Sequence, residues 1–462
     1  MNEMNAPMRP SEAALSMAGE SKPKYSKAYL RYVLFILLVM NTLAFLDRSI
    51  INVLTQPIKN DLGLSDAEVG VLGGLAFMLV YTVSALPLAR LAERTRRVNL
   101  IAACIAFWSV ATAAGGLAAN YVQLLLSRVA VGAGESGATP TAHSVIGDYF
   151  PPDKRGSAIS IFVLGLPLGI LLGSVIGGYV AQLFSWRAAL MVVGLPGIAI
   201  ALLVKFTIKE PERGGADPVG TMKGDTPPLT AVLKHLIRRR SFLHVTAGFT
   251  ISAFALAGIY VFLPALLMRR FDFSVGTSGL VYGLLAGLCA AIGVVVGGYM
   301  NDWLVKRDRR WFVWFPAVTF AITIPLMVLG LFQHYWHWMI GLLILPFILK
   351  SAYLPSTLAA YHNMVEPRMR ATTITIVFMF SNIVGAGGGP FFAGVLSDWF
   401  THGNFFASYH AICGSGEVTH NLCHSPEAYG VSVGVAVSSL LGLWAALHFY
   451  LAARTLRDDF VT

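Results

Sequence analysis

The sequence has few charged residues for its length. Only 13% of the 462 residues are Asp, Glu, Lys or Arg, whereas 56% are hydrophobic, and the mean hydropathy is +0.65. Because a water-soluble domain exposes far more charge than this, the composition argues against a soluble protein. The net charge of +10 comes from basic residues spread over many loops, so it does not indicate a nucleic-acid-binding domain.

Motifs of enzymes and ATP-driven pumps are also missing. The sequence contains no nucleophile elbow and no P-loop, which argues against a lipid-modifying enzyme and against ATP-driven transport. Gly132 to Gly137 match the dinucleotide pattern G-x-G-x-x-G. This run lies inside an apolar helix instead of following a strand, so we interpret it as a packing feature and expect no cofactor.

Cysteine is scarce, with four residues in the chain. Cys104 and Cys289 lie in apolar stretches and are expected to be buried thiols. Cys413 and Cys423 share the loop 399–427, which the topology below places outside the membrane, and we consider them a candidate disulfide. The same loop contains His410, His420 and His424. Their spacing matches no standard metal site, so no metal is expected.

Twelve apolar stretches follow one another along the chain, each long enough to cross a bilayer at about 20 residues per crossing. They cover residues 31–56, 66–90, 98–118, 121–147, 156–183, 187–207, 242–268, 275–303, 311–333, 337–363, 369–398 and 428–453. The longest internal polar stretch, 208–240, separates six from six. The sequence therefore predicts an all-α membrane protein with two six-helix bundles, 29–207 and 241–455, a disordered tail at 1–28 and a short tail at 456–462.

Basic residues mark one face of this predicted protein. Clusters of Lys and Arg precede helices 1 and 7 and follow helices 2, 4, 8 and 10. With an even number of helices all of these loops lie on one side, which the positive-inside rule assigns to the cytoplasm. We therefore expect a multi-pass protein of a bacterial-type inner membrane, with both termini cytoplasmic and no signal peptide.

Charged residues inside the predicted helices are the most informative feature, because each costs at least about 2.5–3.5 kcal/mol at the helix centre. Helix 1 contains the adjacent residues Asp47 and Arg48. Helix 4 contains Arg128 and Glu135, which lie nearly two turns apart and share one face. Crossed ion pairs between the helices, Asp47 with Arg128 or Arg48 with Glu135, make such burial tolerable. A static buried ion network is the structural alternative.

Three further polar residues are candidates for contact with a substrate. Asn41 and Asn52 share one stripe of helix 1 with Arg48, and Lys350 lies near the middle of helix 10. Lys350 either contacts a head group or forms a structural pair. The other helices of the second half carry aromatic residues such as Tyr260 in place of charges. A charged half facing an apolar half suits an amphipathic substrate.

The segment after helix 2, Ala89 to Arg97, resembles the loop signature Gly-x-x-x-Asp-Arg-x-x-Arg of the major facilitator superfamily, although Ala and Glu replace its Gly and Asp. Gly298 to Asp302 after helix 8 and Gly394 to Asp398 at the end of helix 11 repeat part of it. The resemblance implies two bundles that rock about a midplane site. It also implies a gating role for the signature charges, which are Glu93, Arg94, Arg97 and Asp302. Solvated loop charges are the alternative reading.

Three further motifs resemble the Spinster branch of this superfamily, whose members export lysolipids and sphingoid phosphates. They are Asp47-Arg48 after Asn41, Arg128-x-x-x-Gly132-x-Gly134-Glu135, and Glu210-Pro211 with Arg213-Gly214. The resemblance implies that Asp47 and Glu135 carry protons and that Arg48 and Arg128 pair with them or contact an anionic head group. We therefore predict a monomeric, proton-coupled transporter of an amphipathic anionic lipid. A carrier or exporter of a small organic anion, sugar derivative or drug is the alternative.

Overall fold

The computed structural model describes residues 25–213, 228–402 and 425–460. Among these residues, eleven helices are long and apolar enough to cross a membrane. Tyr121–Tyr149, a 29-residue helix that carries Arg128 and Glu135, is the twelfth span. The spans are α1 (Lys27–Leu62), α2 (Asp66–Arg94), α3 (Arg97–Gly115), α4 (Tyr121–Tyr149), α5 (Lys154–Leu183), α6 (Trp186–Thr207), α7 (Arg240–Phe271), α8 (Val275–Val305), α9 (Trp311–Leu331), α10 (Trp336–Met364), α11 (Thr372–Thr401) and α12 (Pro426–Ala452). The predicted all-α, twelve-helix fold is confirmed.

The end of α1 is where the predicted helix boundaries differ most from the structure. The apolar run stops near residue 56, but the helix continues through Pro57 to Leu62. It ends at Gly63, whose φ of 64° is readily adopted only by glycine. The polar last turn is stable in this position because Lys59 and Asp61 form ion pairs with Asp66 and Arg187.

The twelve helices form two bundles that are joined by the linker after α6. In the first bundle α1 packs on α5, and α3 packs on α4 and α6; in the second bundle α7 packs on α12, and α10 packs on α8 and α9. Contacts between the bundles connect α1 with α7, α2 with α11 and α5 with α8. Within the described part of the linker lies a short helix, Leu229–Ile237. Residues 1–24 and 214–227 of the predicted tail and linker lie outside the described residues.

Both ends of the described chain lie on the same face of the protein. Near the start, the Tyr29 hydroxyl donates to the carbonyl of Thr207 at the end of α6, at 3.3 Å. Near the end, the Asp459 carboxylate accepts from Ser241 at the start of α7. We call this face the terminal face and the opposite one the distal face. The bundles meet chiefly through the distal halves of α2, α8 and α11.

Three of the helices that form the bundle interface contain a π-helical segment. These segments are Val71–Leu75 in α2, Leu284–Cys289 in α8 and Ser381–Gly387 in α11. The segments of α2 and α11 contact each other, and the segment of α8 contacts α5. A π turn widens the helix locally and is frequent at functional sites. The irregular backbone therefore lies where the two bundles touch.

The close contact between α8 and α10 depends on a glycine, but this glycine is not the one in the repeated signature. At Gly298, the first glycine of the repeated signature, a Cβ atom would have no neighbour within 4 Å. At Gly297 a Cβ atom would lie 2.5 Å from the Cα of Ala352 in α10. The close approach of α8 to α10 therefore depends on Gly297.

We expect Gly297→Ala to destabilise the protein by about 1–3 kcal/mol, because an added methyl group overpacks the contact with α10. Its neighbour supplies a matched control: Gly298→Ala should change stability by no more than about 0.5 kcal/mol. Thermal denaturation of the purified variants in detergent measures both. Equal midpoints for the two variants would show that Gly297 does not limit the packing.

Candidate functional site

A cavity of about 260 Å³ lies between the two bundles. The first bundle contributes Arg48, Asn52 and Arg128 to its wall, and the second bundle contributes Tyr260 and Tyr282. Phe45, Phe77, Ile170, Ala257 and Val261 form apolar parts of the wall. The cavity thus combines basic groups from one bundle with aromatic and apolar surface from both.

Arg48 of α1 and Glu135 of α4 form the ion pair that the sequence predicted. Arg48 Nε lies 2.6 Å from Glu135 Oε2, and the glutamate side chain is fully buried. The guanidinium carbon also lies 4.9 Å from the ring centroid of Phe77 and 4.7 Å from that of Tyr81. Glutamate and aromatic faces therefore hold the cation against the cavity wall.

The other predicted pair, Asp47 with Arg128, is not formed. Asp47 Oδ2 accepts a hydrogen bond from Thr112 of α3 at 3.1 Å, and the guanidinium carbon of Arg128 lies 5.3 Å from the centroid of the Phe77 ring. Adjacent residues of a helix diverge by about 100°, so Asp47 faces the bundle interior when Arg48 faces the cavity. Spacing alone did not reveal that α3 supplies its partner.

Each of the two buried acids has one oxygen without a hydrogen-bond partner in the described part of the chain. These atoms are Asp47 Oδ1 and Glu135 Oε1. The Nε atom of Arg128 is also buried without a hydrogen-bond partner among the described residues. A buried ionised oxygen without a donor is costly. Protonation neutralises such an oxygen, so this arrangement is chemically able to take up and release protons.

The structure places the two asparagines of α1 in different surroundings. Asn41 donates to the carbonyl of Phe162 in α5 at 2.9 Å and does not line the cavity. Asn52 lines the cavity and donates to the hydroxyl of Tyr282 in α8 at 3.0 Å. Of the two, only Asn52 is positioned to contact a ligand in this cavity, and it also links the bundles.

Lys350 reaches the cavity only through another side chain. The lysine is 4% exposed, and its ammonium group donates to the hydroxyl of Tyr260. The same group lies 3.7 Å from the centroid of the Tyr260 ring and 4.5 Å from that of Phe347. No carboxylate pairs with it among the described residues. Tyr260, which lines the cavity, is therefore the group that a ligand would meet.

An ion cluster that the sequence did not predict joins the bundles at the distal face. Asp66 at the start of α2 accepts two hydrogen bonds from Arg269 of α7, at 2.6 and 2.7 Å. Lys59 of α1 and Ser397 of α11 also donate to Asp66, at 2.9 and 2.5 Å. We call these four residues the distal latch. Because two of them belong to each bundle, the latch holds the distal face closed.

Asp398 extends the contact between the bundles. Its carboxylate oxygens accept from the backbone N–H groups of Asp66 and Ala67 at 2.9 and 2.8 Å, where a negative charge complements the N-terminus of α2. Asp398 belongs to the third copy of the signature, so a sequence signal existed for this contact. No comparable signal existed for the latch. The Ser65-Glu68 capping box indicates only a helix start there, and Arg269 resembles an ordinary flanking charge.

The predicted gating residues are not brought together across the bundles. Glu93, Arg94 and Asp302 are exposed and have no ion pair within the described residues. Arg97 pairs with Asp148 and with Glu210 of its own bundle. Glu210, from the Glu210-Pro211 motif after α6, therefore fixes the corner between α2 and α3. The gating role of the four signature charges remains a prediction.

Two of the four cysteines lie in the part of the chain that the structure describes. Cys104 is buried and Cys289 is half-buried, and both are free thiols. Cys413 and Cys423 lie outside the described residues, as do the histidines of the same loop, so the proposed disulfide remains a prediction. No group of metal-ligating side chains occurs among the residues that the structure describes.

Comparisons with known proteins agree with this architecture. Residues 37–388 match the Major Facilitator Superfamily. An MFS-type efflux pump of Mycolicibacterium smegmatis is 33% identical over 366 residues, which are 79% of this chain and 84% of that protein. Protein spinster of Drosophila melanogaster is 26% identical over 79% of this chain and 62% of its own length. The inward-facing, unoccupied crystal structure of a bacterial homologue of the human lysosomal transporter Spinster superposes with a TM-score of 0.84, at 31% identity over 95% of this chain and 100% of that one.

Proposed function

Because the chain belongs to the Major Facilitator Superfamily and is a transporter of the Spinster type, we propose that it moves an amphipathic anionic lipid, such as a lysolipid or a sphingoid phosphate, in exchange or together with protons. The observation that carries this proposal is the cavity between the bundles. Its wall presents basic groups beside aromatic and apolar surface. A small polar solute needs no such apolar wall, whereas an acyl chain does.

The anionic head group is held between the bundles. Arg48 and Arg128 approach it from the first bundle, and Tyr260, which receives a hydrogen bond from Lys350, approaches it from the second. Arg48 and Arg128 in the wall and Lys350 behind Tyr260 make three cations, and Asp47 and Glu135 behind the wall make two acids, so a singly charged anion neutralises the excess. Because the anion contacts both bundles, its binding favours their closure around it.

Proton coupling uses Glu135 and Asp47. When Glu135 is ionised it retains Arg48, and protonation of Glu135 releases Arg48 to the substrate. Asp47 is the second proton-binding residue, because one of its carboxylate oxygens has no hydrogen-bond partner among the described residues. Each protonation alters the buried charge of the first bundle and thereby biases which face opens.

The two faces have opposite roles in this cycle. The terminal face carries the basic loops and is the cytoplasmic one by the positive-inside rule, in a bacterial-type inner membrane, where the protein works as a monomer. The distal latch closes the outer side in the described conformation. Glu93, Arg94, Arg97 and Asp302 take part in closing the cytoplasmic side after the latch has opened.

Ligand binding to the purified protein tests the substrate class. We expect sphingosine phosphate and lysophospholipids with a net negative charge to raise the thermal midpoint, since binding to the native state stabilises it. Arg128→Gln should weaken this effect by about tenfold or more in ligand concentration, because a charge-assisted contact contributes about 1.5–3 kcal/mol. Arg238→Gln, an exposed arginine outside the cavity, is the matched control. Equal stabilisation of all three proteins would contradict the proposed head-group site.

Export of a small drug-like molecule is the second candidate, and the similarity to an efflux pump favours it. The same assay separates the two proposals. If cationic drugs, sugars or short organic anions raise the thermal midpoint and single-chain anionic lipids do not, the protein is a transporter of a small molecule and the lipid proposal is wrong.

A further inference from the structure

A second, larger cavity lies on the outer surface of the first bundle, away from the transport cavity. It has a volume of about 540 Å³ and is lined by α2, α3 and α4. Its wall includes Pro87, Leu91, Leu100, Phe107 and Ala133 and contains no charged residue. We call it the lateral groove. The transport mechanism above uses none of these wall residues.

The lateral groove is open to the hydrocarbon of the bilayer. Leu91 and Phe107 in its wall are 43% and 53% exposed, and exposed apolar side chains on a membrane-spanning helix face lipid. Small side chains create the depression: Ala103 and Gly134 lie in its wall. Pro87 lies within α2 and interrupts its regular hydrogen bonding. The space therefore has the shape and polarity to accept a lipid acyl chain.

Basic residues lie at the terminal-face end of the lateral groove. Arg94 follows Leu91 by three residues, about one turn further along α2 on the same helix face. Arg96 is the residue immediately before α3, four residues before Leu100. Both side chains are exposed and form no hydrogen bond or ion pair with the described residues.

The exposed acids near this corner are Glu93 and Glu212, and Arg90 and Arg213 are further exposed cations there, Arg213 through its hydrogen bonds to the carbonyls of Ala92 and Thr95. Glu210 is paired with Arg97. The corner therefore has an excess of positive charge at the terminal-face end of the lateral groove.

We propose that the lateral groove binds a resident anionic phospholipid of the leaflet at the terminal face. One acyl chain lies along the apolar wall between α2 and α3, and the phosphate lies against Arg94 and Arg96. Charge complementarity selects an anionic lipid, because a zwitterionic head group brings its own cation to the two arginines. The site is separate from the transport cavity, so this lipid is a bound partner and not the transported molecule.

Native mass spectrometry of the full-length protein in detergent, titrated with phosphatidylglycerol or phosphatidylcholine, measures this binding. We expect one phosphatidylglycerol to bind in preference to phosphatidylcholine. The double variant Arg94→Gln, Arg96→Gln should lose about 30-fold in affinity for phosphatidylglycerol, since each basic side chain near the membrane surface contributes roughly fivefold. Arg238→Gln, Arg240→Gln, two exposed arginines near the linker helix, should retain the wild-type affinity.

A second variant fills the groove without disturbing the core. Ala103 is exposed, so Ala103→Phe can enter the groove while the protein still folds, and it should abolish the preferential binding. Ala114→Phe, an exposed position about three turns further along α3, is its control. Equal affinity for the two lipids, or unchanged phosphatidylglycerol binding in Ala103→Phe, would overturn the proposal. So would displacement of the bound lipid by lysophosphatidylglycerol at equal concentration, because this would make the groove a substrate site.

Discussion

Replacing Asp66 by asparagine is expected to open the distal face. The buried carboxylate is the common acceptor for Arg269, Lys59 and Ser397. Its loss leaves the two cations with only the more distant and partly exposed carboxylate of Glu427, at 3.6 Å from Lys59 and 4.0 Å from Arg269. Removing one partner of a buried ion pair costs about 3–5 kcal/mol. Because the open state does not need these contacts, the equilibrium between closed and open distal faces should shift by more than about 100-fold.

Spin labels at Ala119 and Tyr335, which lie in distal loops of the two bundles and are exposed, measure this opening as an increase in their separation. Asp66→Asn has a matched control variant on the distal face. Arg187→Gln breaks a partly exposed pair with Asp61 inside the first bundle. Because such a pair contributes no more than about 1 kcal/mol and Lys59 keeps its own bond to Asp66, this variant should leave the distances unchanged. The double variant Asp66→Asn, Arg269→Gln should open less than Asp66→Asn, since the cation that lost its buried carboxylate is also removed. Identical distance distributions in Asp66→Asn and wild type would remove the latch from the mechanism.

The second large effect is expected at Glu135. Glutamine has the same shape and can still accept a hydrogen bond from Arg48, but it cannot carry a proton. We therefore expect Glu135→Gln to fold, to bind substrate and to exchange it across the membrane, while transport driven by a pH gradient is abolished. Transport into proteoliposomes, with and without an imposed gradient, measures both activities.

The interpretation of that result depends on two comparisons. Asp308→Asn alters a half-buried acid that pairs with Arg457 near the terminal face. The Asp308 pKa lies below its usual range, mainly because the backbone N–H of Arg310 donates to the carboxylate, so this acid stays ionised at neutral pH and its variant should keep the gradient response. Asp47→Asn separates the two proton-site candidates. An undiminished gradient response in Glu135→Gln would assign the coupling elsewhere.

The sequence predicted the helices well because each span is a long apolar run that only the bilayer can accommodate. It predicted Arg48 with Glu135 because two charges on one face of α4 need partners inside the protein. It failed at the end of α1, where Lys59 and Asp61 look like the polar end of a span. In the folded protein their partners, Asp66 and Arg187, keep that turn helical.

The distal latch could not be predicted for a different reason. Asp66 and Arg269 are 203 residues apart, and each lies next to a span end, where charges are ordinary. Only the packing of α2 against α7 and α11 converts these two residues into a buried pair. Lys350 illustrates the same limit, since the sequence gives its depth but not its direction, and its contact with Tyr260 depends on how α7 and α10 face each other.

The π-helical segments have a consequence for comparing this chain with its relatives. A π turn accommodates one more residue than an α turn, so everything beyond it is rotated by about 100° relative to an uninterrupted helix. Helical wheels drawn through Val71–Leu75 or Ser381–Gly387 therefore assign the far half to the wrong side. A relative with a regular helix at either place should align with a single-residue gap there, and a one-residue deletion within the segment would restore a common register instead of breaking the helix.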